Sequence, residues 1–220
     1  MTKPYSQACE NNKQPILAVL SKVFSTSKYV LEIGSGTGQH AVYFGENLPH
    51  LTWQTSDLAT NHAGINAWLN EAALLNVKSP IVIDLHDTWS LADAVNKPSD
   101  DGQDNTTERQ SIDGVYTANT LHIISWPLVI KFFEGISKNL AVNGAVCIYG
   151  PFKYDGKFTS ESNASFDGRL KEADPTRGIR DIEAILTLAD SAGLNLIDDH
   201  EMPANNRLLV FSKVKPSSRL

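Results

Sequence analysis

Three glycines at alternate positions, Gly34, Gly36 and Gly38, follow the apolar run "YVLEI" and its Glu32. Glycine serves where backbone must turn tightly or lie directly against a ligand. A helix predicted from about Thr37 would aim its first N–H groups at the same point. Asp57, 19 residues beyond Gly38, closes the run "LTWQTSD". A carboxylate there can accept hydrogen bonds from both ribose hydroxyls, with Leu58 beside it. Asp84 and Leu85 end the run "PIVIDL", within reach of an adenine edge. Glu32, Gly34, Ser35, Gly36, Gly38, Asp57, Leu58, Asp84 and Leu85 are therefore the candidate nucleotide-type site.

Spacing discriminates between two cofactors. The dinucleotide fingerprint G-x-G-x-x-G would need its third glycine at 39, which is Gln39. The pattern is instead E-x-G-x-G-x-G from Glu32 to Gly38. An acidic residue before the turn repels a pyrophosphate and suits a ligand with a cationic end. S-adenosylmethionine carries a sulfonium and an ammonium, so it is the expected cofactor, leaving S-adenosylhomocysteine as product. The Y-x-x-x-K spacing of Tyr149 and Lys153 is set aside as an oxidoreductase signal. That pair needs a shared helix face, and Pro151 lies between the two.

Methyl transfer is an in-line displacement in which positioning can supply roughly 7–11 kcal/mol of the barrier. A base is needed only for an acceptor that arrives protonated. "NTLHIISW" places Asn119 beside the cofactor and His122 as a candidate general base. Tyr149 is the second catalytic candidate. Residues 151–177 follow a strand end and are expected to overhang the site as a lid. They offer Lys153, Tyr154, Asn163, Phe166 and Arg169 to an acceptor, with Arg180 from "GIRD" and Asn205 from "MPANNR" beyond them. Asn12 and Lys13 of "ENNK" are expected to fold over the amino-acid end of the cofactor. The histidines lack ligand-like spacing apart from "DLHD", so no metal is expected.

These residues need a frame. Strand-like runs (28–33, 51–57, 80–85, 113–120, 144–151) alternate with helix-like ones (15–24, from 37, 61–76, 126–141, 178–193). Alternation predicts a parallel sheet with right-handed crossovers. The last two runs, around "PAN", must pair antiparallel. The expected fold is α/β: a Rossmann-like seven-stranded, mostly parallel sheet with an antiparallel last strand and helices on both faces. The whole 1–220 chain reads as one domain, with the polar stretch 97–111 as a loop insertion.

Bulk properties narrow the partners. A formal net charge of −6 argues against nucleic acid. No apolar run is long enough to span a membrane. Cys9 and Cys147 and the polar N-terminus point to the cytoplasm. Oligomeric state stays open.

The runs "ENNKQPILAVL", "LEIGSGTGQHAVYF", "NTLHIISW", "YGPFKYDGKFTSESNASFD" and "MPANNRLLVF" together resemble the DUF938 family, whose members include methyltransferase-like 26. The resemblance implies a class I methyltransferase fold and S-adenosylmethionine binding, and it implies no substrate. Asn11 stands where the family pattern has arginine, and Arg177 where it has an aromatic. The expected activity is methyl transfer to a small molecule. An NAD(P)-dependent oxidoreductase and a non-catalytic S-adenosylmethionine-binding protein are the alternatives.

Overall fold

The computed structural model describes residues 3–87, 89 and 111–215. The expected loop over 97–111 lies outside them apart from Ser111. In chain order the elements are α1 (Gln7–Val23), β1 (Tyr29–Ile33), α2 (Gln39–Asn47), β2 (Thr52–Asp57), α3 (His62–Ala72) and β3 (Val77–Val82). Then come β4 (Ile112–Ala118), α4 (Trp126–Asn139), β5 (Leu140–Gly150), β6 (Phe152–Tyr154), β7 (Lys157–Phe158) and α5 (Glu161–Ala173). The chain closes with β8 (Arg180–Asp181), α6 (Ile182–Ser191), β9 (Leu194–Met202) and β10 (Asn206–Lys213).

Seven strands form one sheet in the order β3-β2-β1-β4-β5-β10-β9. Pairs from β3 to β5 are parallel, and β10 runs antiparallel between β5 and β9. This is the expected architecture. All five residues of β1 are buried, because helices cover both faces and a central parallel strand meets no water. On one face Ile16, Leu20 and Phe44 of α1 and α2 pack over Trp53 and Tyr116. On the other, Phe132, Phe133 and Ile185 of α4 and α6 pack over Leu31 and Ile148. Strand order reverses between β1 and β4, so a crevice opens at their carboxyl ends.

Several expected boundaries move. α1 begins at Gln7 rather than Pro15, so "ENNK" lies inside it rather than before it. Proline removes only one intrahelical bond, and the upstream turns are held by the Ser6 cap and by buried Asn12. β3 runs from Val77 to Val82 and stops short of Asp84. The 152–177 stretch, expected to lack regular structure, holds β6, β7 and α5. Its helix was hidden because few of its residues are apolar. Ser160 caps it by accepting the Asn163 N–H at 3.1 Å.

Candidate functional site

A cavity of about 480 Å³ lies at the β1/β4 switch. Its floor is the glycine loop, where Gly34, Gly36 and Gly38 all have positive φ (75°, 57° and 89°). The three serve different ends. A Cβ on Gly38 would come within 3.1 Å of the Ile65 Cα, and one on Gly34 within 3.0 Å of the Thr120 Oγ1. A Cβ on Gly36 would meet nothing within 4 Å. Gly38 and Gly34 thus let the loop seat against α3 and the β4 end, while Gly36 faces open space. Both Gly34 and Ser35 donate their N–H groups to the Ser56 carbonyl, at 3.1 and 2.9 Å.

Asp57 ends β2 beside this loop. Its Oδ2 accepts the Gly36 N–H at 2.7 Å, and its Oδ1 accepts the Leu58 N–H and Asn61 Nδ2, both at 2.7 Å. Asp84 accepts the His86 N–H and ring at 2.9 and 2.8 Å, which holds its carboxyl below the usual range. Ile83, Leu85, Ile123, Ile124 and Leu128 supply apolar wall. The lining includes Asp57 and Asp84 and, among the described residues, neither lysine nor arginine.

Glu32 is not part of that lining. It is 2% exposed and sits behind the loop, where its Oε2 accepts Ser35 Oγ at 3.0 Å and Trp53 Nε1 at 3.1 Å. Burial pushes its carboxyl up to about 7. Its role in this structure is to hold the loop rather than to face a ligand. The acidic groups in the cavity are the two aspartates.

The N-terminal segment does reach the cavity, through residues other than those expected. Ser6 and Cys9 line it, and Asn12 and Lys13 do not. The Ser6 N–H bonds Gln39 Oε1 at 2.5 Å, and Trp68 Nε1 bonds the Pro4 carbonyl at 2.6 Å. Asn12, 4% exposed, meets the His40 Nε2 at 2.7 Å through its Oδ1. Lys13 pairs with Glu10 and lies over the Tyr43 ring. The spacing of helical turns explains the difference: cavity-facing positions on α1 fall one turn before "NNK".

Asn119 lines the cavity with positive φ (56°), as a tight turn at a strand end requires. His122 is 5% exposed and does not line it. Its ring contacts Phe166 edge-on at 5.4 Å. Burial and the charge of Arg180 lower it to about 4, so it is neutral at pH 7. Tyr149 is 3% exposed and packs in the core under α1, bonding Asn12 and Asn206. Side chains alternate along a strand, so Tyr149 faces away from the side that Gly150 shares with His122.

The acceptor candidates divide into clusters. Tyr154 bonds Asp199 at 2.7 Å under the Arg207 guanidinium, and Lys153 pairs with Asp181. Asn163 donates to the Asn205 carbonyl at 3.0 Å, so "SNASFD" and "MPANN" meet in space. Arg169 lies over Phe166. Arg180 donates to the Leu121 and Ile124 carbonyls and lies over Trp126. None of these lines the cavity. The described residues hold no cluster of three or more potential metal ligands.

A family model described as "Protein of unknown function (DUF938)" matches residues 3–213. The chain belongs to this family. Solved structures resemble this DUF938 chain at low identity. An O-methyltransferase family 2 protein from Planctomyces limnophilus, in complex with apigenin, is 14% identical with a TM-score of 0.75. The match covers 94% of this chain and 58% of that one. An O-methyltransferase family protein from Burkholderia thailandensis is 18% identical, with a TM-score of 0.73 and coverage of 93% and 57%. PigF with SAH is 14% identical, with a TM-score of 0.68 and coverage of 91% and 61%. The likeness establishes a methyltransferase-type Rossmann-like fold. The DUF938 chain spans somewhat more than half the length of these proteins.

Sequence reasoning missed Ser6, Cys9, Thr37, His40, Thr120, Ile123, Ile124 and Leu128 of the lining. For Ser6 a signal existed, since a serine preceding a helical run is a cap. The apolar wall carried none, because Ile123 and Leu128 look like any core residues in sequence.

Proposed function

We propose that the protein is an S-adenosylmethionine-dependent methyltransferase acting on a small-molecule acceptor. One observation carries this: a nucleotide-sized cavity at the sheet switch lined by two aspartates with, among the described residues, no lysine or arginine. A pyrophosphate would find no cation there, whereas a sulfonium cofactor brings its own positive charge. Asp57 would hold the ribose, Asp84 and Leu85 the adenine, and Ser6, Thr37 and Asn119 the amino-acid end. The cofactor supplies an electrophilic methyl group already attached to a good leaving group. The protein's part is then to exclude water and orient the acceptor, with neutral His122 as the candidate proton acceptor. Segment 151–177 serves as the cover on the acceptor side, through Phe166 against His122.

The contact between Asn163 and Asn205 joins "SNASFD" and "MPANN", two of the motifs on which the resemblance to the methyltransferase-like 26 type rests. Cys9 and Cys147 are both free, in keeping with a cytoplasmic protein. No helix among the described residues is long and apolar enough to cross a membrane. Calorimetric titration with S-adenosylhomocysteine and with NADH tests the cofactor, and transfer of a labelled methyl group to small-molecule extract tests the activity. Binding of NADH alone would overturn the reading, and tight S-adenosylhomocysteine binding without transfer to any extract would make it a non-catalytic binding protein.

A further inference from the structure

Resting on the methyl-transfer reading, we propose that His122, Gly150 and Arg180 build the acceptor subsite. We propose further that it takes an oxygen acid, a phenol or a carboxylic acid, in preference to an amine. Three observations carry the site. His122 is 5% exposed, yet no group among the described residues hydrogen-bonds its ring. Neither His122 nitrogen is among the fully buried unpaired polar atoms, so the ring keeps access for a partner that the described residues do not supply. Gly150 adjoins it without any backbone need for glycine: its φ is not positive, and a Cβ there would meet only the His122 Nδ1 and Cε1, at 3.5 and 3.9 Å. The missing side chain leaves a notch against the imidazole.

The third observation is the charge beside the notch. The partly buried Arg180 guanidinium donates to three carbonyl oxygens, those of Leu121, Ile124 and Thr176. Among the described residues no carboxylate neutralises it by contact. Asp167, whose charge it feels, is already held by the Ile179 N–H at 2.7 Å and by Lys171. Asp181 is paired with Lys153. The Gly178 N–H fixes the His122 carbonyl at 3.0 Å, so the arginine and the imidazole share one rigid frame.

That frame sets the ligand class. An uncompensated cation in a partly desolvated place attracts a forming or formed oxyanion and repels an ammonium group. The imidazole is kept neutral by the same surroundings, so it can accept a bond from a phenol O–H or donate one to a carboxylate. Phe166, edge-on to His122, supplies an apolar wall for the body of the acceptor.

The test uses the full chain with ring-labelled histidine, followed by NMR, with H122Q identifying the His122 signal. Benzoate, phenol and benzylammonium are titrated with and without S-adenosylhomocysteine. Benzoate, phenol or both should move the His122 signal, and benzylammonium should bind about tenfold more weakly. R180K should keep that preference and R180M should abolish it, with thermal melting confirming the fold. Equal binding of benzylammonium, or a His122 signal unmoved by both acids, overturns the inference. S-adenosylhomocysteine binding is read separately by calorimetry. Its failure sinks the cofactor reading, whereas its success with silent acids sinks only the acceptor subsite.

Discussion

The Asp57 carboxylate accepts the Gly36 backbone N–H at 2.7 Å. The residue at the end of β2 therefore holds the one loop glycine that faces open space. The same side chain shapes the loop and, in the proposed reading, holds the ribose diol. Asp57→Ala should weaken S-adenosylhomocysteine binding by about 10- to 100-fold, the value of one or two charge-assisted hydrogen bonds. Isothermal calorimetry reads it. An unchanged dissociation constant would remove Asp57 from the cofactor site.

Gly36→Ala and Gly38→Ala should part company. Both force a side chain into the left-handed region, at about 1–2 kcal/mol. Only at Gly38 does the added Cβ also press on α3, 3.1 Å from the Ile65 Cα. G38A should lose clearly more thermal stability than G36A, while G36A loses cofactor affinity because its methyl projects into the cavity. Melting curves paired with binding titrations separate the two.

Glu32 gives stability a pH dependence of known sign. Its folded carboxyl, raised to about 7 from 4.5, binds more protons than the unfolded one between those values. Stability from this group is therefore greatest at low pH and falls as pH rises through 4.5 to 7. His40 and His122, both lowered to about 4 from 6.5, act oppositely, since their folded forms shed protons and stability drops as pH falls from 6.5 to 4. Denaturant titrations of E32Q against the parent isolate the glutamate. The parent should lose about 3 kcal/mol relative to E32Q between pH 4.5 and pH 8. Parallel profiles would show that Glu32 titrates normally.

Asn12 is a buried link rather than a ligand contact. Its Oδ1 meets the His40 Nε2 at 2.7 Å, and Tyr149 bonds it too. Asn12→Ala should cost about 1–3 kcal/mol, because it strands buried polar partners. Chemical denaturation measures that loss. Cofactor affinity should fall only modestly, through looser seating of Ser6 and Cys9. A large affinity loss at full stability would restore Asn12 to the cofactor contacts.

Much of this molecule was legible without coordinates. The run "YVLEI" had to be a central strand, since five consecutive nonpolar-compatible positions suit burial on both faces. Glycine spacing and the distance to Asp57 are local quantities, and Gly34, Gly36 and Asp57 do line one cavity. The antiparallel β9–β10 pair followed from a turn too short for a crossover.

Facing direction was decided only by tertiary structure. Glu32 was read as a cavity residue, yet strand alternation and the Trp53 indole turn it behind the loop. Asn12 and Lys13 were one helical turn off because the helix start was hidden by Pro15. Tyr149 and Gly150 are neighbours in sequence and lie on opposite sheet faces, so His122 is joined by the glycine and not by the tyrosine. Sequence determined the strands and the glycine turn, because each depends on residues close together along the chain. Arg180 reaches back to the Leu121 carbonyl, 59 positions away, and only the packing of distant segments could bring that about.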